Sequence, residues 1–198
     1  AAVSVVNVTK LGHKTAFIGK VGDDFFGKQL REAITEVGID STGLLSDPEI
    51  HTTLAMVHTY PDGDRDFSFY RNPGADMMLR EDEIPEELIK STKIFHFGTL
   101  SMTHDGVRAA TKKAISIAEE ANALISFDPN LRPPLWKSLD DAKEQVLYGL
   151  GHCHILKISD NEIQWLTGKE DYTDGVNWIR ERYNLIFIIG TASFLTHR

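Results

Sequence analysis

The feature that most constrains this chain is a repeated alternation of short apolar runs with longer amphipathic stretches. Residues 94–100, 123–127, 154–158 and 185–189 are strand-length runs rich in apolar side chains. Between the first two, residues 103–120 bring Ala109, Ala110, Ala114 and Ile117 to one face at helical spacing. Residues 139–150 form a second helical stretch, and 160–166 and 172–183 supply two more before the last run. Parallel strands need a long crossover between them, and a sheet covered by such crossovers on both faces has strands that read as nearly continuous apolar runs. The pattern predicts an α/β fold with a mainly parallel sheet sandwiched by helices.

The same beat opens the chain. Residues 3–11 place Val3, Val6 and Leu11 near a common face, and Gly12 is a helix stop. Residues 15–21 read as a strand ending at Gly22-Asp23-Asp24, and residues 24–37 space Phe25, Leu30, Ala33, Ile34 and Val37 at helical intervals before Gly38. Residues 52–72 break the rhythm. Two alternating runs, 53–60 and 66–71, flank Pro61-Asp62-Gly63-Asp64, and Asp-Gly between alternating runs signals a β-hairpin. Inside an α/β chain such a hairpin projects from the main sheet as a lid or an interaction surface.

Several function classes fall away. A net charge of −8 without a clustered basic stretch argues against a nucleic-acid partner. No apolar run approaches the ~20 residues that a membrane helix needs. Cys153 is the only cysteine, so no internal disulfide forms and a reducing cytoplasm is the natural setting. The first residues show no basic segment or cleavage site of a signal peptide. Neither Gly-x-x-x-x-Gly-Lys-Ser/Thr nor Gly-x-Gly-x-x-Gly occurs. His152-Cys153-His154 lacks the further ligands of a zinc site and reads as ordinary histidines at a strand entry. Asp62, Asp64 and Asp66 lack the closing Glu of a calcium loop and read as a solvated turn.

In a parallel α/β sheet, ligands sit outside the carboxyl ends of the strands. The residues there are Gly22-Asp23-Asp24, Gly98-Thr99, Asp128-Pro129-Asn130-Leu131-Arg132 and Lys157-Ile158-Ser159-Asp160-Asn161-Glu162. Taken singly, each reads most simply as a cap or turn, and Asp23-Asp24 as the cap of the next helix. The stretch from Asp128 to Arg132 holds a carboxylate, a carboxamide and a guanidinium within five residues, with Pro129 fixing the backbone. Arg71, at the end of the hairpin, offers a planar fork suited to hydroxyls, carboxylates or phosphates.

These blocks resemble the PfkB/ribokinase-type carbohydrate kinases, the fructokinase branch in particular. Phe69-Tyr70-Arg71-Asn72-Pro73-Gly74-Ala75-Asp76 is similar to the family's lid-hairpin sugar motif. Phe127-Asp128-Pro129-Asn130-Leu131-Arg132-Pro133-Pro134-Leu135-Trp136 is similar to its strand-end motif, and the stretch from Lys157 to Glu162, then Leu166-Thr167-Gly168, to its Asn-x-x-Glu segment. The resemblance implies a ribokinase-like fold in which residues 52–72 are the lid, and ATP- and Mg²⁺-dependent phosphorylation of a sugar primary hydroxyl. It implies that Phe69, Arg71, Asn130 and Arg132 face the sugar, fructose or a keto-sugar such as 2-keto-3-deoxygluconate. It implies that Lys157 and Ser159 lie near the nucleotide phosphates and that Glu162 organises Mg²⁺ through water. Two copies are expected to pair through the lid.

The family's Gly-Ala-Gly-Asp catalytic segment does not occur in this chain, and the residues after Ile189 do not match it. The family's first strand has no counterpart before residues 3–11, and the chain opens without Met inside a helical pattern. Residues 1–198 are therefore expected to be one incomplete ribokinase-like domain with no catalytic base of its own and little activity as written. The alternative is a non-catalytic sugar-binding or interaction module.

Overall fold

The computed structural model describes residues 2–61, 63 and 65–191, and divides the chain into two compact units, Ala2–Pro85 and the residues from Glu86 on. Asp62 and Asp64 of the hairpin turn, and the tail from residue 192, lie outside the described residues.

The first unit contains α1 (Ala2–Lys10), β1 (Gly19–Gly22), α2 (Phe25–Glu36), β2 (Leu44–Asp47), β3 (Leu54–Thr59) and β4 (Arg65–Tyr70). Strands β1 and β2 pair in parallel, from Gly19 opposite Leu44 to Gly22 opposite Asp47, with α2 as the crossover. The strand expected over residues 15–21 is shorter and ends one residue later, preceded by a single bridge from Ala16 to Asp40. Asp24 caps α2 by accepting from the Gly27 N–H, and Gly38, in the left-handed region at φ +92°, follows its end. Gly27 is the only buried residue of α2, and a Cβ there would overlap the Gly22 carbonyl oxygen. The helix thus lies on β1 at a distance only glycine permits. Phe25 and Leu30, although helically spaced, are exposed, because contact is made through the glycine side of the helix.

Lys20 is buried in this unit. Its ammonium donates to Glu83 Oε1 at 2.7 Å and to the Met78 carbonyl at 3.2 Å, which ties β1 to the two 3-10 turns Ala75–Met78 and Glu81–Glu83. Strands β3 and β4 form the expected antiparallel hairpin, from Leu54 opposite Tyr70 to Thr59 opposite Arg65. Among the described residues it pairs with no other strand. The register puts Ala55, Val57, Phe67 and Phe69 on one face, where the Phe67 and Phe69 rings stack.

The second unit contains α3 (Glu86–Lys90), β5 (Ile94–Gly98), α4 (Asp105–Glu120), β6 (Leu124–Asp128), α5 (Leu139–His152), β7 (Ile155–Ser159), α6 (Asp160–Thr167), α7 (Tyr172–Arg180) and β8 (Phe187–Thr191). All four strands are parallel, in the order β5-β6-β7-β8. Register aligns Phe97 with Phe127 and Phe127 with Leu156, all buried, the two rings 4.6 Å apart. Helix α4 buries Val107, Ala110, Ala114, Ile115 and Ala118, and α5 buries Ala142, Val146 and Leu150. Each large side chain in such a core contributes about 1.5–3 kcal/mol of burial. On the opposite sheet face, Ile94, Leu124, Phe187 and Ile189 are exposed.

His152 is the last residue of α5 rather than part of a strand. It pairs with Glu119 at 2.7 Å, while His154 Nδ1 accepts from the Ile125 N–H. Among the described residues no helix is long and apolar enough to cross a membrane.

Candidate functional site

In the unit from Ala2 to Pro85, a cavity of about 650 Å³ opens between the start of α2 and the feet of the hairpin. Phe25, Phe26, Leu54, Phe69 and Tyr70 make its apolar wall, and Asp24, Thr52 and Arg71 its polar one. Two of the residues expected to face a sugar, Phe69 and Arg71, therefore line one cavity, on its apolar and its polar wall.

Hydrogen bonds fix the polar wall. Asp24 Oδ1 accepts from Gly27 N and Thr52 Oγ1, both at 2.8 Å, and its Oδ2 accepts from Thr52 N at 2.8 Å. The backbone N–H groups of Thr52 and Gly27 pull the Asp24 carboxyl down to about 2, well below the usual carboxylate range. Arg71 follows β4 with its side chain only 5% exposed. Its Nε donates to Asp76 Oδ2 at 2.8 Å and its Nη2 meets the same oxygen at 2.6 Å. The other Asp76 oxygen accepts from the Thr53 hydroxyl.

The second cluster lies at the carboxyl ends of β6 and β7. Asp128 Oδ2 pairs with Lys157 Nζ at 3.0 Å, whereas the buried Asp128 Oδ1 has no hydrogen-bond partner among the described residues. Asn130 takes a left-handed conformation, φ +44°, which turns the chain sharply after the strand. The Pro129 carbonyl accepts from Thr99 Oγ1 at 2.6 Å. Arg132 is half-buried, and its Nη1 donates to the Leu131 carbonyl at 3.0 Å. Upstream on the sheet face of Asp128, His96 Nδ1 meets Ser126 Oγ at 3.0 Å, and burial lowers the His96 imidazolium below its ordinary pKa.

Ser159 and Glu162 form a capping box at the start of α6. Glu162 Oε2 accepts from Ser159 N at 2.9 Å and Ser159 Oγ at 2.8 Å, and Oε1 accepts from Leu131 N at 2.7 Å. The helix start is thereby joined to the loop carrying Asn130 and Arg132. Both Glu162 oxygens already accept hydrogen bonds, and among the described residues no group of three or more His, Cys, Asp or Glu could hold a metal ion. Among the described residues, then, Glu162 does not belong to a direct cage for a cation.

Asp76, Thr52 and Thr53 are the polar residues that the sequence reading left without a role. Asp76 stands five residues beyond Arg71 across a Pro-Gly turn, a spacing with no helical or strand periodicity to single it out.

The pfkB family carbohydrate kinase model matches residues 1–190. This chain belongs to the pfkB family. Among its pfkB relatives, the probable fructokinase-2 of Arabidopsis thaliana is 44% identical over 169 residues, 85% of this chain and 51% of that protein. A fructokinase of Xylella fastidiosa with bound ATP superimposes with a TM-score of 0.85 at 29% identity, covering 96% of this chain and 60% of that one. A fructokinase of Vibrio cholerae O395 in a form with fructose, ADP and a calcium ion gives 0.79 at 29% identity, covering 89% and 57%. The ribokinase-like α/β architecture expected from the sequence is thus the fold of this pfkB chain. It spans about half the length of the curated relatives it matches.

Proposed function

We propose that this chain supplies the sugar-facing part of an ATP-dependent kinase that phosphorylates a primary hydroxyl of fructose or a related keto-sugar. The observation that carries the reading is the buried Arg71 guanidinium, held by Asp76 in the wall of a cavity whose other wall is aromatic. A sugar suits such a wall: its C–H faces pack on rings, and its hydroxyls accept from a fixed planar donor. From the family resemblance, Asn130 and Arg132 are assigned to a sugar, Lys157 and Ser159 to nucleotide phosphates, and Glu162 to water around Mg²⁺. Bound Mg²⁺ neutralises charge developing on the transferred phosphoryl group.

Membership in a carbohydrate kinase family and the fructose-, ATP- and ADP-bound relatives support this assignment. A reducing cytoplasm suits the single, buried thiol. Exposed Met56, Val57 and Tyr70 on the hairpin support pairing of two copies through it. With no Gly-Ala-Gly-Asp segment in the sequence, no residue of this chain is assigned as the catalytic base.

The test joins calorimetric titration of the 198-residue chain with fructose to a coupled assay of ADP release with ATP, Mg²⁺ and fructose. The expected result is fructose binding that Arg71→Ala weakens about tenfold or more, with turnover appearing only when a Gly-Ala-Gly-Asp segment is supplied. Absence of fructose binding overturns the sugar assignment. Robust turnover by the chain alone overturns the assignment of the base.

A further inference from the structure

The base of the hairpin is fastened by one carboxylate. Asp76 Oδ2 takes both Nε and Nη2 of Arg71, which follows β4, while Asp76 Oδ1 takes the hydroxyl of Thr53, which precedes β3. One side chain thus grips both feet of the hairpin. The loop that carries it is pinned as well, because Ala75 N donates to the His51 carbonyl at 2.9 Å. Gly74 leaves room for the grip, since a Cβ there would overlap Thr53 Oγ1 and come within 2.8 Å of Asp76 Oδ1.

We propose that Asp76 is a positioning residue: it sets the plane and depth of the Arg71 guanidinium in the cavity and so governs sugar affinity without touching the sugar. The proposal rests on the sugar-binding reading above. Nε and Nη2 of Arg71 converge on a single carboxylate oxygen, which fixes the rotation of the guanidinium about its Nε edge. The Thr53 bond on the second oxygen fixes the carboxylate in turn. Losing that grip keeps the charge but removes the bonds at Nε and Nη2, so part of the ordering of the guanidinium is left to the sugar contacts.

Two measurements on the 198-residue chain test the proposal. In the first, calorimetry of fructose binding is run on wild type, Asp76→Asn, Arg71→Ala and the double variant. Asp76→Asn is expected to weaken binding about tenfold and to add nothing in the Arg71→Ala background, the signature of action through Arg71. An effect within about twofold of wild type, or one that persists in full without Arg71, overturns the proposal. Should Asp76→Asn fail to fold by circular dichroism, Thr53→Val takes its place, with a loss of about threefold expected and an unchanged affinity overturning the idea.

The second measurement needs no sugar. The Arg71 Nε–H resonance, assigned by its loss in Arg71→Lys, is expected to be protected from exchange in wild type and to shift and exchange faster in Asp76→Asn. An unchanged resonance sinks the proposal. Failure of wild type to bind fructose, with the resonance behaving as expected, refutes the sugar reading and leaves Asp76 as the residue that positions Arg71.

Discussion

Glu162 accepts the Leu131 N–H at 2.7 Å, so a residue in the first turn of α6 holds the loop that follows β6. The same carboxylate closes the capping box with Ser159. In Glu162→Gln the amide NH₂ must face a donor that a carboxylate oxygen now serves. We expect a loss of about 1.5–3 kcal/mol, the range for hydrogen bonds to charged groups. Urea unfolding reads the loss, and faster amide exchange at Leu131 locates it; unchanged exchange there would show that the loop is held by other contacts.

Asp24 gives the first unit a pH dependence. Its folded-state pKa, about 2, lies below the ordinary 3.8, so its contribution is full above the ordinary value and fades as pH falls from there toward 2. Asp24→Ala is expected to cost about 1–2 kcal/mol at neutral pH through the lost cap and the lost Thr52 anchor. The gap between variant and wild type should close over that acid window. Denaturant midpoints followed from pH 6 to pH 2 would decide the matter, and a gap of constant size would remove Asp24 as its source.

Lys157→Met leaves Asp128 with neither oxygen partnered in a side chain that is 18% exposed. The expected cost is about 1–3 kcal/mol. Adding Asp128→Asn should recover part of it, because the stranded charge is then gone. Unfolding free energies of the two single variants and the double variant provide the test, and strictly additive losses would mean the pair is not coupled.

Burial pushes the Cys153 thiol up to about 12. At pH 8 the native chain should not react with a disulfide reagent and should react fully once unfolded, since the thiolate is the nucleophile. Prompt labelling of the native chain would contradict this burial.

Much of the second unit was legible in the sequence for a simple reason. Residues 94–100, 123–127 and 185–189 are apolar enough, and the helical stretches between them long enough, that only parallel pairing through crossovers accommodates them, although the last strand forms two residues later, over Phe187–Thr191. Strand ends then follow, and with them the places of Asp128 and Ser159. The first unit was less legible. Helical spacing says that Leu30, Ala33, Ile34 and Val37 share a face, but not whether that face is buried, and here the one buried residue of α2 is Gly27. Strand β2, four residues long, is too short to show a period. The Arg71–Asp76–Thr53 grip escaped because its members are joined by a turn and by tertiary contact rather than by repeat spacing.

Thr52 and Thr53 are adjacent, just ahead of β3, and serve different masters, Asp24 and Asp76. A slip of one residue would put either Leu54 in the place of Thr53 or His51 in the place of Thr52, so one of the two threonine anchors would be lost. Insertions or deletions within residues 50–53 should therefore be excluded from viable descendants of this chain, while the connection between Thr59 and Arg65 is free to change length. The hairpin can drift at its far end only because its root is held in frame.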